Sequence, residues 1–144
     1  MQIVKIGSEH LSGVAELERL CFSEPWSEKS LELLLRDGAV GFAVLEDGAV
    51  VAYGGMTYVL DEGQITNIAT HPSARRKGFG ARIVGALCDF ARESGLCEIF
   101  LEVRASNSGA IALYSQSGFL RVGERRGFYR APLEDAIIMK INLQ

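Results

Sequence analysis

The chain has 144 residues, 48% of them apolar and 23% charged, and a formal net charge of −3. That length and apolar content suit one hydrophobic core, hence one domain over residues 1–144. The charge gives no global basic field for nucleic acid, no apolar run nears the roughly 18 residues of a membrane span, and the opening MQIVKIGSEH lacks the apolar core of a signal peptide. A soluble cytoplasmic protein with neither partner is expected.

QIVKI near the start is a short β-type run. Behind a possible Ser8 cap, Leu11, Val14, Leu17, Leu20 and Cys21 recur at intervals of three and four, the spacing of one helix face. In EPWSEKSLELLLRDG, a Pro-Trp turn, Ser27 as N-cap, a stripe of Leu31, Leu34 and Leu35, and Gly38 predict a second, short helix. VGFAVLEDGAVVAYGGMTYVL holds two β-rich runs joined by Asp47-Gly48, which predicts an antiparallel hairpin. DEGQITNIATHP opens with turn residues and returns as a fourth strand, ending where Pro72 stops it.

From Phe79, Ile83, Val84, Leu87, Cys88, Phe90 and Ala91 mark a helix of about four turns closed by Gly95. CEIFLEV is a buried strand, and SNSGAIALYSQSGF is a further helix capped by Asn107 or Ser106 and ended by Gly118. LRVGERRGFY and DAIIMKINL close the chain as strands. Strands at both ends and a strand-helix-strand unit in the middle imply a mixed α/β sheet. Cys21, Cys88 and Cys97 are odd in number and lack the close pairing of zinc or redox sites, so packed reduced thiols and no metal are expected. His71 is expected to cap a turn.

The segment HPSARRKGFGARI poses the chemical question, because a glycine-rich turn that leads from a strand into a helix gathers unpaired N–H groups and the positive end of the helix dipole. Gly78 and Gly80 leave room for close approach, and Arg75, Arg76 and Lys77 add positive charge. A Walker loop needs Lys then Ser or Thr after its last glycine, but Ala81-Arg82 follow Gly80. A dinucleotide fingerprint needs a third glycine where Ile83 stands.

What remains resembles the acetyl-CoA diphosphate loop of the GNAT N-acetyltransferases, in which Arg or Gln, two residues, Gly, one residue, and Gly or Ala follow in order; Arg75, Gly78 and Gly80 match it. NIATHP, LEVRASNSGAIALYSQSGF, EDAIIM and PWSEKSL stand in matching places, and together they resemble the ribosomal-protein-alanine N-acetyltransferase branch, the RimI-like proteins, over nearly the whole chain. The resemblance implies a single-domain, mostly antiparallel sheet around a strand-helix-strand unit that binds acetyl-CoA. It also implies direct acetyl transfer, without a metal, to the α-amine of a protein N-terminus, a ribosomal alanine first of all.

Carried over residue by residue, the resemblance makes Glu102 the base, directly or through water, and Tyr114 the proton donor to the departing sulfur. It makes Ile68, Ala69 and Thr70 the backbone partners of the pantetheine arm. The diphosphate would lie on Arg75, Arg76, Lys77, Gly78, Phe79, Gly80 and Ala81, with Asn107 and Tyr114 also at the coenzyme. Glu62 and Tyr129 are expected on the acceptor side, where Arg125 and Arg126 either position a protein N-terminus or form a solvated edge. Two other functions remain open: acetylation of a small amine by the same machinery, and a non-catalytic acyl-CoA-binding module.

Overall fold

A computed structural model describes all 144 residues as seven strands and four helices. The elements are β1 (Gln2–Lys5), α1 (Leu11–Cys21), α2 (Glu28–Leu31), β2 (Ala39–Glu46), β3 (Ala49–Val59), β4 (Glu62–Thr70), α3 (Phe79–Glu93), β5 (Glu98–Arg104), α4 (Ser108–Gln116), β6 (Leu120–Arg130) and β7 (Leu133–Asn142). They form one sheet in the order β1-β2-β3-β4-β5-β7-β6. Only the β4/β5 pair is parallel, because α3 carries the chain back across the sheet between them. The expected mixed, mostly antiparallel α/β sheet is therefore present.

Local signals account for most boundaries. Asp47 and Gly48 both take positive φ (50° and 82°), the geometry that lets a two-residue turn follow the twist of β2 and β3. Ser27 caps α2 by accepting from Ser30 N–H at 3.1 Å, and Asn107 caps α4 by accepting from Ala110 N–H at 3.1 Å. His71 caps its turn by accepting from Ser73 N–H at 3.1 Å. Ser8 does not cap α1; it opens a 3-10 turn, Ser8–His10, held by Gly7 N–H donating to His10 Nδ1 at 2.9 Å. The second helix is also tighter than its leucine stripe suggests, since α2 passes into a 3-10 turn over Glu32–Leu35.

Each face of the sheet carries its own core. On one side Ile83, Val84, Leu87, Cys88 and Ala91 of α3 pack on Val40, Ala52, Met56, Ile99 and Leu101. On the other, Leu11, Val14, Leu17, Leu31 and Leu34 pack on Ala43, Tyr53 and Ala69. Cys88 is buried as expected, whereas Cys21 and Cys97 are half-exposed free thiols.

The Gly54-Gly55 pair of β3 is where helices press on both faces. A Cβ on Gly54 would stand 2.4 Å from Ile83 of α3, and one on Gly55 would stand 2.8 Å from Leu34 on the opposite side. Gly54→Ala is accordingly expected to cost about 1–3 kcal/mol through overpacking, read as a lower urea midpoint at unchanged slope.

Candidate active site

The parallel pairing of β4 with β5 covers only Glu62–Gln64 against Glu98–Phe100, and beyond it the strands part. A bulge in β4 lies at the same level: Gly55 faces Asn67 and Met56 faces Ile65, so Thr66 is an extra residue. In an unbroken strand, Gln64 and Asn67 would point to opposite faces. The bulge turns both toward the α1 side, where Gln64 Nε2 donates to Glu102 Oε1 at 3.0 Å and Asn67 Nδ2 donates to Glu18 Oε2 at 3.0 Å.

Glu102 shares that face, because its neighbours Leu101 and Val103 are buried in the core beneath α3. It lies within β5, which continues to Arg104, just past the point where β4 diverges. Tyr129 of β6 stands near it. Burial pushes the Tyr129 phenol up, the Glu102 carboxylate pushes it further, and the Arg104 guanidinium pulls it down. That guanidinium stacks 4.3 Å from the Tyr129 ring centre and donates to the carbonyls of Pro132 (2.9 Å) and Ala131 (3.3 Å), pinning the β6–β7 turn.

Tyr114 comes from the opposite face. Its ring is buried against Phe119, with centres 5.8 Å apart. Burial holds the phenol well above its usual range, and the Tyr129 phenol, when charged, raises it further. Tyr129 thus lies within electrostatic reach of both Glu102 and Tyr114, residues far from it and from each other in sequence.

The free edge of β4 forms one wall of the opening. His71 N–H donates to Val51 O at 2.8 Å, and the alternation of an antiparallel ladder then commits Ala69 to Tyr53 and turns the main-chain groups of Ile68 and Thr70 outward. This corrects the expectation for Ala69, whose backbone is already occupied by β3. The Thr70 carbonyl accepts from Arg75 Nε at 3.3 Å and Cys21 Sγ at 3.5 Å.

Below the opening, α3 begins with free amides. Arg82 N–H is the first in the helix to find a backbone acceptor, Gly78 O at 3.2 Å, which leaves the N–H groups of Phe79, Gly80 and Ala81 without one. Gly78 has φ of +78°, a region that disfavours a side chain, and nothing lies within 4 Å of where its Cβ would be. Gly80 has a different reason to be glycine, since its Cβ would meet Leu113 of α4 at 3.0 Å. Lys77 lies 3.8 Å from Glu46, and the Phe79 side chain belongs to the core.

Sequence reasoning misplaced Glu62 as well as Ala69, and it missed several residues. Glu62 pairs with Glu98 at the closed end of the strands, roughly 13 Å along β5 from Glu102 at ~3.3 Å per residue. Gln64, two residues on, is the β4 side chain that reaches Glu102. Arg104 and Glu18 were also unread, because the partners that define them come from β6–β7 and from β3–β4. Glu134 pairs with Arg104 at 3.3 Å, and hydrogen bonds from Ser106 together with that guanidinium hold its carboxyl below its usual range. Arg125 and Arg126 lie exposed on β6 at the edge of the sheet.

Residues 11–119 match the model of the acetyltransferase (GNAT) family. The chain belongs to that family. It is 34% identical over 141 residues, 96% of its length and 95% of the relative's, to the ribosomal protein bS18-alanine N-acetyltransferase of Escherichia coli K12. The corresponding enzyme of Salmonella typhimurium LT2 is 33% identical over 138 residues, 94% of this chain and 93% of the relative. The crystal structure of the Escherichia coli ribosomal-protein-S18-alanine N-acetyltransferase superposes with a TM-score of 0.91 at 33% identity, covering 99% of this chain and 94% of that one. The aminoglycoside 6'-N-acetyltransferase of Enterococcus faecium reaches 0.86 at 16% identity, covering 100% of this chain and 98% of that one. That likeness shows the fold alone, so the GNAT fold does not choose an acceptor.

Membership makes the chain an acetyl-CoA-dependent N-acetyltransferase. The residues present fit that co-substrate: unpaired amides and an open glycine suit a diphosphate, and an outward strand edge suits an amide-bearing arm. No group of three or more His, Cys, Asp and Glu side chains is placed to hold a metal ion, and no helix is long and apolar enough to cross a membrane.

Proposed function

We propose that this chain, over residues 1–144 as one catalytic domain in the cytoplasm, acetylates the N-terminal α-amine of a protein, with the N-terminal alanine of ribosomal protein bS18 as acceptor. The identity of 34% over 96% of the chain with the Escherichia coli bS18-alanine enzyme carries this choice of acceptor. The 3.0 Å bond from Gln64 to Glu102 beside the parting strands, and the electrostatic proximity of Tyr129 to both Glu102 and Tyr114, support the chemistry.

Acetyl-CoA supplies the acetyl group on a thiol leaving group. The amides of Phe79, Gly80 and Ala81 hold the diphosphate at the positive end of α3, while Gly78 keeps the approach open and Arg75, Arg76 and Lys77 add charge. The outward main-chain groups of Ile68 and the outward N–H of Thr70 order the pantetheine arm along β4, and Asn107 lies beside it at the start of α4.

An α-amine with a reference pKa of about 7.7–8.0 is mostly protonated at neutral pH, and Glu102, directly or through water, takes the proton it must lose before attack. The nitrogen forms its bond to the acetyl carbon as the carbon–sulfur bond breaks. Tyr114 gives its proton to the departing sulfur, a role suited to a phenol that burial keeps protonated. Tyr129, stacked on Arg104, forms the acceptor wall beside Glu102.

The deciding experiment measures free thiol released from acetyl-CoA with a peptide carrying the bS18 N-terminus, against polyamine, aminoglycoside and amino-acid acceptors. The peptide is expected to give the highest kcat/KM by at least tenfold. A small amine in that place would overturn the acceptor, and thiol release with none of them would overturn catalysis.

A further inference from the structure

Glu18 is the one buried charged side chain in the protein, with 0% of its surface exposed. Its carboxylate has no cation partner and is satisfied instead by three donors from three parts of the chain. Trp26 N–H, in the α1–α2 loop, donates to Oε1 at 2.8 Å, while Tyr53 O–H of β3 (2.5 Å) and Asn67 Nδ2 of β4 (3.0 Å) donate to Oε2. Replacing a buried ionic group by an apolar one of similar volume is often neutral or stabilising in general. Stability alone therefore gives no reason for a carboxylate here, and the geometry it enforces does.

That geometry surrounds the site. Asn67 is the first residue after the bulge, at the level where β4 leaves β5. The loop that contains Trp26 also contains Ser23, whose hydroxyl donates to the Ala131 carbonyl. Arg104 holds that same carbonyl at 3.3 Å and stacks on Tyr129, beside Glu102, and Glu102 accepts from Gln64 at 3.0 Å. From Gln64 the chain runs through the bulge back to Asn67. The contacts thus circle the opening, and Glu18 joins the loop to β4.

We propose that Glu18 is a positioning residue for acetyl transfer: by tying the α1–α2 loop to the bulge of β4, it fixes the acceptor-side wall opposite Glu102. The proposal rests on the reading of Glu102 as the acceptor-side base. Glu18 touches neither reacting group; it acts through Trp26 and Asn67. Its loss affects how the acceptor amine is held and leaves the coenzyme groove on α3 untouched.

Three variants test this. Glu18→Met keeps the volume and removes both acceptor oxygens. Glu18→Gln keeps one acceptor, and its amide can bond Asn67 and Tyr53 once they reorient, so it is the conservative rescue. Tyr53→Phe removes a donor while leaving the bonds to Trp26 and Asn67, and it controls for core destabilisation.

Glu18→Met is expected to raise the acceptor KM at least tenfold with the acetyl-CoA dissociation constant within twofold of the parent. Glu18→Gln is expected to recover most of the loss, and Tyr53→Phe to leave the acceptor KM within twofold. Trp26 is the only tryptophan of the chain, so acrylamide quenching of its fluorescence, without any substrate, reports the loop directly. Quenching is expected to rise at least twofold in Glu18→Met and to stay unchanged in Tyr53→Phe.

Unchanged quenching in Glu18→Met overturns the proposal even if no peptide is acetylated, which separates it from failure of the proposed function. An acceptor KM within twofold of the parent also overturns it, as does an equal loss of coenzyme affinity or a Tyr53→Phe variant that reproduces the shift. If Glu18→Met does not fold, Asn67→Ala cuts the same tie from the half-exposed β4 side and is expected to raise the acceptor KM in the same way. An Asn67→Ala variant with parental KM overturns the proposal.

Discussion

Glu102→Gln is expected to lower kcat by about 10²–10⁴-fold, the range that general acid–base catalysis supplies, while the acetyl-CoA dissociation constant stays within twofold. The reason lies in what glutamine keeps and loses. Its carbonyl can still accept from Gln64 Nε2, which bonds Glu102 at 3.0 Å in the parent, so the local geometry at the parting strands survives. It cannot take a proton. A steady-state assay of released thiol gives kcat, and calorimetric titration with acetyl-CoA gives the binding constant. Full turnover in the variant would remove Glu102 as the base. A parallel loss of coenzyme affinity would show a structural role at β5 instead.

Tyr114→Phe is expected to lower kcat by about 10²-fold at pH 7, with a smaller loss above about pH 8.5, the reference pKa of a thiol. Below that value the departing sulfur gains from a proton; above it the thiolate leaves as the stable species. Burial raises the phenol of the parent above its ordinary range, so Tyr114 remains in its acid form throughout the range measured. The parent rate should therefore rise with pH as the acceptor amine loses its proton, with no fall caused by ionisation of Tyr114. Phe should keep the packing on Phe119, because the ring contact at 5.8 Å does not involve the hydroxyl. A pH–rate profile of both proteins makes the comparison. An equal rate at pH 7 would show that water protonates the sulfur.

Local signals in the sequence carried far into the fold because each depends on neighbours in the chain. The turn at Asp47-Gly48, the caps at Ser27, His71 and Asn107, and the stripe of α3 all use short-range geometry, and all appear in the structure. Ser8 failed as a cap because α1 starts only at Leu11, after a 3-10 turn that Ser8 itself opens and that the His10 ring holds by accepting from Gly7 N–H. Glu102, Tyr114 and Tyr129 were singled out through their motif resemblance, and in the structure Tyr129 lies within electrostatic reach of the other two.

The amino-acid sequence by itself determined the element order, the mixed sheet, the glycine loop before α3 and the GNAT family, since periodicity, caps and ordered motifs are properties of a linear chain. Only the tertiary structure decided where the site opens. The extra residue at Thr66 puts Gln64 and Asn67 on one face, and its effect exists only against β3. Glu18 and Arg104 acquire their roles from donors and carbonyls 8 to 49 residues away, and Glu62 loses its expected one because β4 and β5 are still paired at its level. The bulge and the parting of β4 from β5 are long-range outcomes of packing two helical layers on one sheet, and no single segment of the chain displays them.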